Sequence, residues 1–238
     1  MSILLSLTSE TETVENKIAR RLQNLFPNGC RRIMLVHIPQ LPEEIFDLET
    51  ARLGVYPANP PYGLGLLARN LNEAGYETKI LDLNFTILSH LRDEPFQFNI
   101  WEKVLREEIT SFLPDLIGVD CMFSMAHNSM RAVAECIKGV NPKLPVVAGS
   151  VHVSNATRQI LEDVPEIDFA VTHESDSALV SIVDFANGKI NKNTLTQTAT
   201  LVNGEYLVIE KREVPSGDNL SFSPDYGDLP IGQYSALG

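Results

Sequence analysis

Residues 114–152 constrain the fold of this chain more than any other stretch. Asp115-Leu-Ile-Gly-Val-Asp120 is an apolar run of strand length, followed by a small, sulfur-rich loop, Cys121-Met-Phe-Ser-Met125. A helical pattern with Met130, Val133, Ala134 and Ile137 inward leads to a second apolar strand, Leu144-Pro-Val-Val-Ala148. That strand ends in Gly149-Ser150-Val151-His152. Strand, loop, helix, strand in so short a span is one right-handed βαβ unit. Both strands are apolar throughout, as a parallel sheet covered on both faces requires. Ligands of such sheets bind beyond the carboxyl ends of the strands. The loops beginning at Cys121 and at Gly149 are therefore the predicted seat of function.

The same alternation runs through most of the chain. Val14, Ile18, Leu22 and Leu25 form a stripe at helical spacing over residues 11–26, stopped by Asn28-Gly29, an amphipathic lid or partner helix for the domain that follows. Ile33-Met-Leu-Val-His-Ile38 is the first buried strand. The connection from Pro39 to Pro61 exceeds the usual length of a strand-to-helix loop, which marks a functional loop. Pro60-Pro61 pre-set a helix bearing Leu64, Leu67, Ala68 and Leu71, capped by Gly75. Tyr76–Asp82 is the second strand, and a helix near 98–113 turns Ile100, Val104, Leu105, Ile109 and Phe112 inward. After the central unit, a short helix from Asn155 leads to a fifth strand, Ile167–Val171, and Ser175 caps a helix ending at Gly188. Asn203-Gly204, between Thr196–Val202 and Glu205–Glu210, is a two-residue hairpin signal. The Pro- and Gly-rich tail reads as an extended linker. The expected organisation is an N-terminal helical extension over 1–30, an α/β domain over 31–190, a hairpin over 191–212 and a linker over 213–238.

Charge and cysteine usage narrow the partners. A net charge of −12 argues against nucleic acid and anionic membranes. No run reaches the roughly 18 apolar residues of a spanning helix, and the apolar start lacks a basic flank, so the protein reads as cytoplasmic. Three scattered cysteines, at 30, 121 and 136, supply neither a disulfide framework nor a self-contained zinc or iron–sulfur motif.

Three ligand classes fail on placement. Gly63-Leu-Gly65-Leu-Leu-Ala68 fits a dinucleotide fingerprint, with Asp82 downstream, but that mechanism needs the glycines in the turn directly after the first strand. Here they fall inside a helix, where small residues let it pack closely on the sheet. Asp120 ends the third strand as in a phosphoacceptor domain, yet no acidic pair follows the first strand and no lysine ends the fifth. His37-Ile-Pro-Gln-Leu-Pro42 offers no glycine-rich nest for a flavin phosphate.

An ordered set of short motifs remains. Pro60-Pro61-Tyr62-Gly63-Leu64, Leu67–Leu71, Ala74-Gly75-Tyr76-Glu77-Thr78 and Leu81-Asp82-Leu83-Asn84 come first. Pro114–Val119, Ile137-Lys138, Pro142, Pro145-Val-Val-Ala-Gly149 with His152, Ile160-Leu161, Ile167-Asp168 and His173-Glu174-Ser175-Asp176 follow. Over roughly residues 32–186 this succession resembles the N-terminal cobalamin-binding domain of cobalamin-dependent radical S-adenosylmethionine enzymes.

The resemblance implies a doubly wound, five-stranded parallel sheet, Rossmann-like with the flavodoxin-type order 2-1-3-4-5, an N-terminal helix and a C-terminal hairpin. It implies a corrinoid ring across the carboxyl edge, with the nucleotide arm passing between strands beside small residues. Ala148, Gly149 and Ser150 suit that passage, as do Cys121 and Ser124. The family usually has two glycines where Ala148-Gly149 stand and a serine where Asp120-Cys121 stand. Met122 and Phe123, in the loop ending at Met125, would floor the ring, methionine adapting its shape. Tyr62, Gly63, Val151, His152, His173 and Glu174 complete the expected cofactor contacts. Glu174 would accept a corrin amide or ribose hydroxyl, or cap the next helix.

The D-x-H-x-x-G motif of methionine synthase relatives, whose histidine ligates cobalt, is absent around His37. No protein ligand to cobalt is therefore expected, with His37, His127 and His152 as candidates against a reading as polar loop histidines. His90 reads as a surface residue, and Asp82 as a helix cap. A cluster-binding C-x-x-x-C-x-x-C loop is also absent. S-adenosylmethionine and an iron–sulfur cluster are thus expected only from a further radical domain or subunit, and the chain as a fragment or stand-alone carrier is not expected to be catalytic alone. The competing function is a non-catalytic Rossmann-like interaction or nucleotide-binding domain that has lost the corrinoid.

Overall fold

The computed structural model describes residues 12–56, 58–173, 176–211, 223–235 and 237. Seven strands form one sheet. From edge to edge they are β2 (Glu77–Asp82), β1 (Arg32–His37), β3 (Leu116–Asp120), β4 (Val146–Gly149), β5 (Phe169–Val171), β6 (Thr198–Val202) and β7 (Glu205–Ile209). The first five run parallel. The hairpin β6–β7 joins the same sheet antiparallel to β5, so it prolongs the core layer. Its turn residues Asn203 and Gly204 take φ of 53° and 80°, the two positive values that match a tight turn to strand twist.

Nine helices accompany the sheet among the described residues: α1 (Val14–Leu25), α2 (Leu48–Arg52), α3 (Tyr62–Glu73), α4 (Leu83–Ser89), α5 (Ile100–Phe112), α6 (His127–Val140), α7 (Val151–Asp163), α8 (Asp176–Ala186) and α9 (Ile231–Tyr234). Side chains alternate across a strand, and the cores follow that period. Met34, Val36, Ile117, Val119, Val146 and Ala148 meet α4, α5, α6 and α7 on one face. Ile33, Leu35, Leu116, Val147, Phe169 and Val171 meet α1, α3 and α8 on the other. Both faces are covered, which is why the strands carry no polar alternation. No helix among the described residues is long and apolar enough to cross a membrane.

The amino edge is stapled by charge. Asp168 accepts from the Arg21 guanidinium at 3.0 Å, from Lys138 Nζ at 2.7 Å and from the Val146 N–H at 3.0 Å, tying α1, α6 and β4 together. α1 also docks on the hairpin through Lys17 and Glu205, 2.7 Å apart. It supplies no lining to the cavity described below.

Several expectations are revised. α7 begins at Val151, four residues before the expected Asn155, and kinks at Ala156. The long 39–61 connection contains α2, and α4 starts directly at the end of β2. Asp82 is the cap of α4, as expected, accepting from the Phe85 N–H at 2.8 Å. Ser175, the expected cap of α8, lies outside the described residues, as does Glu174.

Gly65 also has a different cause from the one expected. A Cβ there would lie 2.6 Å from Pro224 Cβ and 3.1 Å from the Tyr226 ring, so the missing side chain admits the C-terminal segment rather than the sheet. The Asp225 N–H donates to the Gly65 carbonyl at 3.0 Å, and Asn72 donates to the Asp225 carboxylate at 2.8 Å. Gly65→Leu is expected to dislodge residues 223–226 while far-UV circular dichroism stays unchanged. Hydrogen exchange at the Asp225 amide reads it, and unchanged protection there would refute the packing role.

Candidate functional site

The alternation that builds the two cores also builds the site. Continuing up the α3/α8 face, Leu35 is followed by His37 on β1, Leu116 by Gly118 and Asp120 on β3, and Val147 by Gly149 on β4. At Gly118 and Gly149 the face loses its side chains, and the sheet and the α3/α8 layer part. A cavity of about 1260 Å³ fills the gap and opens at the carboxyl edge. Its inner wall is Leu35, Val147 and Val171, and Leu64, Leu67 and Leu179 from α3 and α8 face them. A Cβ on Gly118 would sit 3.0 Å from Leu35 Cδ2, a contact tight enough that Leu35 would have to shift to admit it. At Gly149 the nearest atom to such a Cβ is the Val171 carbonyl oxygen at 3.7 Å, so a side chain there would project into open cavity.

The mouth has an apolar lip. Met122, Phe123 and Met125 on the β3–α6 loop are about half exposed, and Val151 and Tyr62 are 56% and 55% exposed across from them. Five exposed large apolar groups around one opening are unusual for a solvated surface and mark a ligand or partner contact. Ser150, between β4 and α7, takes φ of 88°, a conformation costly for any residue with a side chain. Strain of that kind collects at ligand sites, and here it turns the chain sharply enough to start α7 at the cavity wall.

One charged pair is set into the wall. His37 and Asp120 stand opposite each other in the β1–β3 register, with His37 Nδ1 2.7 Å from Asp120 Oδ2. The Ile38 N–H donates to the other carboxylate oxygen at 3.3 Å. Burial works to lower the His37 pKa, but Asp120, by charge and hydrogen bond, and Asp82, by charge, outweigh it and raise it to about 9. His37 is therefore an imidazolium at neutral pH, with both ring nitrogens carrying protons. Beside it, burial pushes the Asp82 carboxyl up, against the opposing pull of His37, the Phe85 N–H and the Tyr234 hydroxyl. Tyr234, from the C-terminal segment, donates to Asp82 at 2.8 Å.

Ten of the fourteen expected cofactor contacts line this one cavity: Tyr62, Gly63, Asp120, Met122, Phe123, Ala148, Gly149, Ser150, Val151 and His173. Cys121 is buried beneath the lip, its thiol donating to the Phe123 carbonyl at 3.4 Å and its pKa pushed up to about 12 by burial and by Asp120. Ser124 and His152 form a separate polar cluster with His127, which the cavity does not reach. His152 Nδ1 lies 3.0 Å from Ser124 Oγ, and His152 Nε2 lies 3.2 Å from His127 Nδ1. Burial and then the neighbouring His127 lower the His152 pKa. His90 is held by the Thr86 carbonyl at the end of α4, away from the cavity.

Sequence reasoning missed Gly118 and Leu35. A glycine inside a buried strand signals close approach of another group, so Gly118 was legible in principle. It also missed a set of side-chain amides in the lining: Gln40, Asn59, Asn84, Asn155 and Gln197.

Fold and site together define an α/β domain: a doubly wound sheet with a large cavity at its carboxyl edge that runs down between the sheet and the α3/α8 layer. The chain belongs to the B12 binding domain family, which it matches over residues 52–183. It is 26% identical over 178 residues to the anaerobic magnesium-protoporphyrin IX monomethyl ester cyclase of Rubrivivax gelatinosus, covering 74% of this chain and 30% of that one. It is 23% identical over 136 residues to the cytidylyl-2-hydroxyethylphosphonate methyltransferase of Streptomyces wedmorensis, covering 55% and 25%. The chain thus spans less than a third of either curated relative.

Among solved structures, the fold resembles the radical S-adenosylmethionine methyltransferase TsrM of Kitasatospora setae with cobalamin and a [4Fe-4S] cluster bound. The TM-score is 0.58 at 18% identity, over 76% of this chain and 31% of that one. The cobalamin-dependent S-adenosylmethionine radical enzyme OxsB with aqua-cobalamin and S-adenosylmethionine bound gives a TM-score of 0.59 at 15% identity, over 93% and 26%. Cobalamin fits the cavity on the chain's own geometry: a bare glycine floor for a narrow arm and an adaptable methionine lip for a flat ring.

Proposed function

We propose that this chain is a cobalamin-binding module that works as part or partner of a radical S-adenosylmethionine enzyme. The observation that carries the reading is the slot over Gly118 and Gly149, continuous with an apolar mouth in a cavity of about 1260 Å³. Met122, Phe123 and Met125 would lie against one face of the ring. Gly149, Ser150 and the wall of Leu35, Val147 and Val171 would receive the nucleotide arm. His37, already bonded through Nδ1 to Asp120 and charged at neutral pH, is a cationic wall group rather than a cobalt ligand. Bound cobalamin supplies methyl-transfer or radical chemistry, for which residues 213–238 would lead to the domain or subunit that holds the substrate.

Mixing the protein with hydroxocobalamin, desalting it and recording the visible spectrum tests the reading. One equivalent of corrinoid is expected to travel with the protein. A colourless protein fraction would sink the proposal and favour an interaction domain that has lost its cofactor.

A further inference from the structure

The lining of the cavity is chemically one-sided. Gln40, Asn59, Asn84, Asn155 and Gln197 contribute five side-chain amides, and neither lysine nor arginine appears among the described lining residues. The histidines of the lining are His37, already paired with Asp120, and His173 at the mouth. The amides come from four separated places: the end of β1 and the loop before α3, the start of α4, the first turns of α7, and the approach to β6. They are not one polar strip of a single helix. Asn84 is oriented by its Oδ1, which accepts from the Gln40 N–H at 3.2 Å, and the Gln40 amide donates to the Ile38 carbonyl at 3.1 Å.

A carboxamide both donates and accepts, so it pairs with another carboxamide without burying a charge. A carboxylate placed against the same groups meets no lysine or arginine, and the charge of His37 in the wall is already neutralised by Asp120. Leaving such a group unpaired costs the full desolvation penalty. We infer that this cavity selects macrocycles whose periphery is carboxamide and rejects those whose periphery is carboxylate, with Asn59, Asn84 and Asn155 as the discriminating residues. This rests on the corrinoid reading and sharpens it. The module would take the fully amidated cofactor and exclude its acid precursors and hydrolysis products, as well as tetrapyrroles that carry free propionates.

The test compares hydroxocobalamin with its b,d,e-tricarboxylic acid, which keeps ring, cobalt and nucleotide arm and changes three amides to acids. Binding is followed by the visible spectrum at pH 7 in 0.5 M NaCl, where the chain's overall negative charge is screened to within about 4 Å. The triacid is expected to bind about 100-fold or more weaker, each uncompensated acid being worth several-fold. Affinities within threefold of each other would overturn the inference while leaving the corrinoid reading intact. Failure of hydroxocobalamin itself to bind would overturn both. Asn59 and Asn155 are exposed, so Asn59→Lys with Asn155→Lys leaves the core untouched. The pair is expected to narrow the gap at least tenfold by strengthening triacid binding, and an unchanged gap would refute the assignment of those two amides.

Discussion

Gly149→Val is expected to abolish corrinoid binding while leaving the fold in place. The substitution suits its backbone: Gly149 ends a regular strand, where a β-branched residue packs well. The added Cβ meets nothing closer than the Val171 carbonyl oxygen at 3.7 Å, an ordinary contact. The two methyls then stand in the cavity beside Val171, on the path proposed for the nucleotide arm. Hydroxocobalamin affinity should fall by about 100-fold or more, equivalent to about 2.7 kcal/mol. The melting temperature should change by no more than about 4 °C, the shift that about 1 kcal/mol produces in a domain of this size. Calorimetric titration and a thermal melt separate the outcomes. Full-strength binding by a folded variant would mean that the arm does not use this slot. Gly118→Val is a poorer probe, because its Cβ would press on Leu35 Cδ2 at 3.0 Å and a loss of binding would be confounded with repacking of the core.

Asp120→Asn is expected to cost about 3 kcal/mol of stability at pH 6.5, the usual consequence of stranding one member of a buried ion pair. The amide keeps a hydrogen-bond acceptor for His37 and loses the charge that outweighs burial. The His37 pKa should therefore drop well below its native value of about 9. The sign of the pH dependence follows from that raised value. A histidine with an ordinary pKa of 6.5 unfolded and about 9 folded binds its proton more tightly in the native state. Its contribution is complete below pH 6.5 and is lost as pH rises through 9, for a total of about 3 kcal/mol. The buried thiols Cys30 and Cys121 act in the same direction but only above their ordinary value of 9.0. Urea denaturation at pH 6.5, 7.5 and 9.0 should show the native protein weakening steadily, and Asp120→Asn should be flatter over that window. NMR titration of the His37 ring gives the pKa directly. A variant with the native slope would show that Asp120 does not hold the proton.

The two results report on different links. Gly149 is a matter of shape, and its variant should alter binding and little else. Asp120 is a matter of electrostatics in the wall, and its variant should alter stability whether or not ligand is present.

Much of this was readable residue by residue. The apolar strands at 115–120 and 144–148 announced a parallel sheet because a strand buried on both faces has no use for alternation. Asn203-Gly204 announced the hairpin because both turn positions need positive φ. The residues flanking the third and fourth strands were placed at the mouth because such sheets bind at their carboxyl edge. The start of α7 was misplaced for a local reason. Gly149-Ser150 reads as a turn of several residues, but Ser150 alone completes it by adopting φ of 88°, and the helix follows at once. Gly65 was assigned to helix–sheet packing, and only the returning C-terminal segment revealed its partner.

Local pattern, then, determined which segments are strands and helices, which faces are apolar, and which ends carry the small residues. These follow from periodicity and backbone preference within a dozen residues. Register and chain return decided the rest. His37 meets Asp120 across 83 positions because β1 and β3 pair in one register, and a slip of one residue would point the two to opposite faces. Asp82 meets Tyr234 across 152 positions. The five amides converge because the β1–α3 connection, the starts of α4 and α7 and the approach to β6 meet at one edge. None of these contacts has a local signature, since each is a distance between residues that only the packed sheet brings together.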